Sequence, residues 1–281
     1  MIRIKTPAKI NTILQILNKR PDGYHDLFMH MVPISLFDTL EFFPETAGPI
    51  QLEETGIRAG VDPEKNLVIK AVRLFEKQTR IKVSGTIKLH KTVPTGAGLG
   101  GGSANAAGVL VLLNQYYDQP LKHTDLHQLA QPLGSDVPFF LKPTPAEVHG
   151  KGEVLKPLAG YPELPLLVVK PPFSIPTVEA YRQCIPKPLQ TIPQIHTLAE
   201  LLGNLHNQFE STLFPAYPDL ARIKQLLLEH GALGALVSGS GSAVFGIFEN
   251  ELSQNQSIEY LRPQISGEIF SCKILENYSY F

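Results

Sequence analysis

Apolar and polar positions alternate along much of the segment from Ile2 to Phe43, most clearly at Ile10, Thr12, Leu14 and Ile16, and the pattern is interrupted at Arg20-Pro21-Asp22-Gly23. Period-two alternation predicts strands, and a Pro-Asp-Gly cluster between two such runs supplies turn chemistry, so the chain is expected to open as a hairpin or meander. Asn66 then stands as an N-cap ahead of Val68, Ala71, Val72 and Phe75, whose spacing predicts one buried helix face. Ile81 to Leu89 alternates again as a strand, Lys91 to Gly102 is a glycine-rich loop, and Ser103 to Tyr116 has the small and apolar residues of a buried helix. Together they make a strand, loop, helix unit.

A helix is expected around Thr124 to Pro132, followed by Gly134-Ser135-Asp136 and a stretch rich in Phe, Pro and Gly. Between Leu155 and Glu163 the chain changes character, and Pro157, Gly160, Pro162 and Pro165 give it the composition of a linker. The boundary between two domains is set there, at 1–158 and 159–281. The second half predicts a strand over Leu166 to Val169, a helix from Thr177, a helical region near Leu198 to Leu205 and a helix from Pro218 to His230 stopped by Gly231. Two apolar segments between Val237 and Phe248 flank a second glycine-serine turn, and Ile269 to Leu275 closes the chain as a strand. Mixed strands and helices without internal repeats give an α/β (α+β) fold.

The length of 281 residues leaves room for a cleft, and 43% apolar with 18% charged residues describes a globular chain. A net charge of -1 provides no long-range field for nucleic acid or an anionic membrane, so any phosphate site must be local. No apolar run approaches the ~18–20 residues that span a bilayer, and the start, Met1 to Pro7, has neither signal-peptide nor transit-peptide character, which predicts a cytoplasmic protein. Cys184 and Cys272 fit neither a disulfide framework nor a CxxC metal site and read as buried thiols. His123 and His127 share a helix face, but with no third ligand they read as solvated side chains.

The candidate chemistry sits in Pro94-Thr95-Gly96-Ala97-Gly98-Leu99-Gly100-Gly101-Gly102-Ser103. Such a loop lets backbone N–H groups turn toward a ligand, and the helix after it adds unpaired N–H groups and the positive end of a dipole. Gly96, Gly98 and Gly101 spell the G-x-G-x-x-G of a dinucleotide site, yet Asp118, at the distance where that fingerprint places an acidic residue, follows a helix end instead of a strand. The Walker motif is absent too, since Gly150-Lys151 is followed by Gly152. The readings left are a flexible connection, for which five glycines directly before a well-patterned helix would be wasteful, and a nucleotide phosphate loop of another type.

The loop resembles the P-x-x-x-G-L-G-[GS]-[GS]-S-A motif of the GHMP kinases, and its triple glycine is similar to the branch acting on a cytidine diphosphate-linked methylerythritol. Four more segments carry the resemblance in order: Pro7 to Asn11 with Arg20 to His25, Gly134 to Pro138, Pro171 to Tyr181, and Ser238 to Ser242. The resemblance implies a two-domain fold with the active site in the interdomain cleft. It implies phosphorylation by ATP, with Mg²⁺, of the acceptor's 2-hydroxyl, giving the 2-phosphate and ADP in non-mevalonate isoprenoid precursor synthesis. A GHMP kinase for mevalonate or homoserine, or a non-catalytic nucleotide-binding protein of the same fold, is the alternative.

Carried over residue by residue, the resemblance makes Asp136 the catalytic base and Lys9 its partner across the cleft. Asn11, Tyr24, His25, Thr177 and Tyr181 become acceptor contacts, with the imidazole on the cytosine and the Tyr181 ring available for stacking. Asn66, Lys91 and Asn105 become adenosine-side contacts, and Pro94, Gly96, Gly98, Leu99, Gly100, Gly101, Gly102 and Ser103 form the ATP loop. Ser103 keeps a hydroxyl for Mg²⁺ or a phosphate, Ala104 replaces a second serine found in many members, and a complete set of metal ligands is not signposted. Lys151 and Glu153 resemble a family turn of unassigned role.

Overall fold

The computed structural model describes residues 1–57, 65–188 and 191–281. Its framework is one long antiparallel pair, β1 (Ile2–Lys19) and β2 (His25–Pro44), joined at the expected turn. Arg20 ties that turn down, with its guanidinium 2.7 Å from Asp26 and 3.3 Å from Asp22. The register shifts between Pro7 and Ala8, Asn11 and Ile13, and Ile16 and Asn18, and such bulges increase twist and re-aim side chains. From Thr6 to Ile16 every β1 residue is buried, so the strand is covered on both faces and its alternation does not separate core from solvent.

Among the described residues, seven strands form the larger sheet. Its main path runs β3 (Ile50–Gly56), β4 (Gly85–Lys91), β2, β1 and β8 (His206–Asn207), with β5 (Ala146–Gly150) also on β2 and β6 (Val154–Pro157) beyond β5. The second sheet has the order β11 (Glu268–Lys273), β7 (Pro165–Lys170), β10 (Val244–Ile247), β9 (Gly234–Val237) and is antiparallel throughout. The linker expected from Leu155 therefore begins as the end of a sheet strand. β8 lies late in the chain, yet it pairs in parallel with β1 at Ile13 and Leu14.

Helices α1 (Leu67–Thr79) and α2 (Gly101–Tyr116) pack together, and α2 also lies on β1, with a core of Ala104, Ala107, Leu110 and Leu113. Asn66 caps α1, its Oδ1 accepting the Val68 N–H at 3.0 Å. The strand expected from Ile81 begins only at Gly85. The Ile81 and Val83 N–H groups donate to the side chains of Thr79 and Glu76, so they have no need of a sheet partner. Helix α3 (His123–Ala130) leads through a 3₁₀ turn to the segment around Asp136.

In the second half α4 (Thr177–Gln183), α5 (Leu198–Gly203) and α7 (Pro218–Glu229) fall where periodicity put them. Among the described residues α6 (Glu210–Ala216) and α8 (Glu251–Leu261) are further helices, and α8 buries only Gln254, Ser257 and Leu261, a face without an apolar stripe. Cys184 and Cys272 are free and buried, as expected. No helix among the described residues is long and apolar enough to cross a membrane.

Candidate active site

The glycine-rich loop is held from two sides. The Lys9 N–H donates to the Leu99 carbonyl at 2.9 Å, while the Ser238 hydroxyl donates to Gly98 O at 3.0 Å and the Ala243 N–H to Ala97 O at 3.1 Å. The approach is so close at Gly98 that a Cβ there would strike the Ser238 carbonyl oxygen, and its φ of 75° lies in the left-handed region. Glycine is required on both counts. Gly100 ends the loop as the N-cap of α2 and has no side chain to offer the helix N–H groups, which leaves that helix end suited to receive an anion.

This loop forms one wall of a cavity of about 900 Å³. Lys9 and Asn11 of β1, Tyr24 and His25 of the hairpin, Lys91, Ser135 and Asp136, Lys151, Thr177 and Tyr181 of α4, and Gly239 and Ser240 contribute to the rest. Pro94, Gly96, Gly98, Leu99, Gly100, Gly101, Gly102 and Ser103 all line it. Asn66 and Asn105 are set back: Asn66 caps α1 and donates to Glu54 at 3.1 Å, and Asn105 is buried beneath the loop.

Lys9 is buried, and its ammonium donates to Asn11 Oδ1 at 2.7 Å and lies 3.7 Å from an Asp136 carboxylate oxygen. The 2.7 Å bond places Asn11 and Lys9 on the same face of β1, as their i, i+2 spacing in a strand requires. Burial lowers the Lys9 pKa from its ordinary value, with the Asp136 charge partly offsetting the effect. Asp136 sits inside a turn closed by the Val137 N–H on Gly134 O at 3.1 Å. Behind it packs the turn at 149–153: a Cβ on Gly152 would stand 3.1 Å from Ser135 Cβ, and Glu153 accepts the Lys151 N–H at 2.7 Å. That turn thus buttresses the carboxylate-bearing one, and its Lys151 ammonium sits 4.8 Å from the centre of the Tyr24 ring.

At the other end His25 and Tyr181 stack, with ring centroids 5.3 Å apart and planes at 22°, and Phe209 braces Tyr181 edge-on at 4.9 Å. Burial, helped by Lys19, lowers the His25 pKa, and burial raises that of Tyr181. Both rings are therefore neutral near pH 7, able to stack on and hydrogen-bond to a heterocycle. Thr177 does not cap α4; its hydroxyl meets that of Ser240 at 3.1 Å.

Sequence reasoning did not single out Asp38, Thr6, Ser240 or Phe209. Ser240 falls inside a segment already marked by its glycines. Asp38 and Thr6 sit in the strand pair and carry no local signal; only their partners across the fold expose them. Among the described residues no group of three or more His, Cys, Asp or Glu is placed to hold a metal.

A strand, glycine loop and helix closing one side of an interdomain cavity, with a lysine–aspartate pair beside the loop, define a small-molecule kinase of the GHMP type. The models for the GHMP kinases N terminal domain and the GHMP kinases C terminal region match residues 66–142 and 189–264. At 43% identity over 250 residues, covering 85% of this chain and 86% of the relative, the chain is similar to the 4-diphosphocytidyl-2-C-methyl-D-erythritol kinase of Pelotomaculum thermopropionicum. It is 36% identical to that of Thermodesulfovibrio yellowstonii, with 98% of each covered. A crystal structure of 4-(cytidine 5'-diphospho)-2C-methyl-D-erythritol kinase superposes with a TM-score of 0.83 at 34% identity, covering 99% of this chain and 100% of that one. The Methanococcus jannaschii mevalonate kinase, at 15% identity and a TM-score of 0.71 with 98% of each covered, shares the fold. The chain belongs to the 4-diphosphocytidyl-2-C-methyl-D-erythritol kinase family.

Proposed function

We propose that the chain transfers the γ-phosphate of ATP to the 2-hydroxyl of 4-diphosphocytidyl-2-C-methyl-D-erythritol, giving the 2-phosphate and ADP in non-mevalonate isoprenoid precursor synthesis. The observation that carries this reading is the meeting, in one cavity, of the glycine loop, the Lys9–Asp136 pair and the His25–Tyr181 wall. Phosphoryl transfer needs little covalent help from a protein and much positioning and charge stabilisation. The loop N–H groups and the first turn of α2 hold the phosphates. Asp136 takes the proton of the acceptor hydroxyl, and Lys9, anchored by Asn11, orients the carboxylate and offsets charge developing nearby. Tyr24, His25 and Tyr181 receive the cytidine end, and Thr177 sets the acceptor against the loop.

The oxygen donors facing the cavity near the loop, Ser103 and the Asp136 carboxylate, fit Mg²⁺ bound mainly through phosphate oxygens, the usual pattern for this ion. Bound there, it would neutralise phosphate charge. We assign residues 1–158 to the nucleotide-binding domain and 159–281 to the acceptor-binding domain. The two buried, unpaired thiols suit a cytoplasmic location. ADP release measured with the cytidine-linked acceptor, mevalonate and homoserine tests the assignment: a cytidine-free alcohol working best would overturn it.

A further inference from the structure

Beneath the loop lies a buried polar cluster centred on Asp38 of β2, whose side chain is fully enclosed. Its Oδ1 accepts the Thr92 and Val93 N–H groups at 2.7 and 2.8 Å. Its Oδ2 accepts Asn105 Nδ2 at 3.0 Å and pairs with the Lys91 ammonium. Asn105 is fixed in turn, donating to Thr6 Oγ1 at 2.8 Å and accepting from Lys91 Nζ at 2.9 Å. The carboxylate thus has four donors on two oxygens, which leaves it no freedom to swing.

An ammonium has three donors, and Asp38 and Asn105 take two of those on Lys91. Lys91 lines the cavity, and a Cβ on Gly101 would lie 3.1 Å from its Nζ. The cation is therefore held against the first residue of α2, where the helix N–H groups begin. A free lysine stem would lose rotamer freedom on meeting a ligand; here that loss is incurred during folding.

We infer that Asp38 is a positioning residue for the nucleotide: it fixes the Lys91 ammonium under Gly101, so that the third donor and the charge meet bound ATP already in place. The inference rests on the reading of the loop as the ATP site. A carboxylate that served the scaffold alone would affect stability and leave the ATP affinity of folded molecules unchanged.

The test compares wild type, Asp38→Asn, Lys91→Met and the double variant by calorimetric titration with ATP and by acceptor KM. Asp38→Asn is expected to weaken ATP binding about tenfold or more while acceptor KM stays within about twofold, and to add less than about threefold in the Lys91→Met background, because the two residues act as one unit. An Asp38→Asn protein that binds ATP like wild type, or losses that simply multiply in the double variant, would overturn the inference. If Asp38→Asn fails to fold, the double variant, which leaves no buried charge unpaired, is compared with Lys91→Met. Equal ATP affinities then uphold the inference; a further large loss, or a double variant that cannot fold, overturns it. A wild type that binds no ATP would overturn the kinase reading and this inference together.

Discussion

The Lys9 ammonium lies 3.7 Å from the Asp136 carboxylate, bringing together β1 and the turn after α3 across 127 positions of sequence. Because Lys9 is buried and tied to Asn11 by a 2.7 Å bond, the pair is held in place by the fold and does not depend on two mobile surface chains meeting. Asp136→Asn preserves shape and removes the proposed base. Its kcat should fall about 100- to 10,000-fold with little change in KM for ATP, measured by ADP release.

With the proposed role, Lys9 is expected to set the alkaline limb of the rate profile. Burial has lowered its pKa below 10.5, so the charged form is lost earlier in a rising pH series than for an exposed lysine. Activity should therefore decline as pH rises through a value below 10.5. A kcat profile that stays flat to pH 10.5 would rule out a role for the cation.

Tyr181 is braced by Phe209 and stacked on His25, so its ring presents a fixed surface to a base. A base–aromatic stack is worth about 1–3 kcal/mol, and Tyr181→Ala should raise acceptor KM about 5- to 150-fold while leaving ATP affinity alone. Tyr181→Phe, which keeps the ring, should recover most of the loss.

Gly98→Ala puts a methyl group against the Ser238 carbonyl at a left-handed φ. The backbone strain alone costs about 1–2 kcal/mol, and the collision moves the loop away from the 238–243 segment. ATP affinity should drop more than acceptor affinity, as read by titration with each ligand separately.

His30 is fully buried on β2, neither ring nitrogen has a hydrogen-bond partner, and burial lowers its pKa to about 4 from 6.5. Between those values the unfolded chain binds the proton and the folded one does not, so stability is whole above pH 6.5 and declines as pH falls toward 4. The loss reaches about 3 kcal/mol. Denaturant titrations from pH 7 to 4 should show this slope, and His30→Phe should flatten it.

The glycine loop could be read from sequence because several glycines in one turn answer a local demand for left-handed backbone and close approach. Asn66 was equally plain as a cap. Asp136 looked like any turn aspartate, and its place in the site came from the resemblance and from geometry. Asp38 shares a strand face with Leu36 and Leu40, but nothing near it in the chain says what a carboxylate there would meet; its meaning depends on Lys91, 53 residues away. β3 escaped notice for a related reason, since an edge strand carrying Glu53 and Glu54 lacks an apolar signature. β8, two residues long, exists only because β1 offers it a partner.

Ser238 grips Gly98 across 140 positions, and β8 joins β1 from nearly as far along the chain. On the ribosome the loop and its helix are finished long before Ser238 and Ala243, which hold the loop from its second side, are made. At about 5–20 residues per second, that interval is on the order of 10 s. The nucleotide pocket is thus completed late in synthesis, and until then the glycine loop has its β1 contact at Lys9 without the clasp from the 238–243 segment.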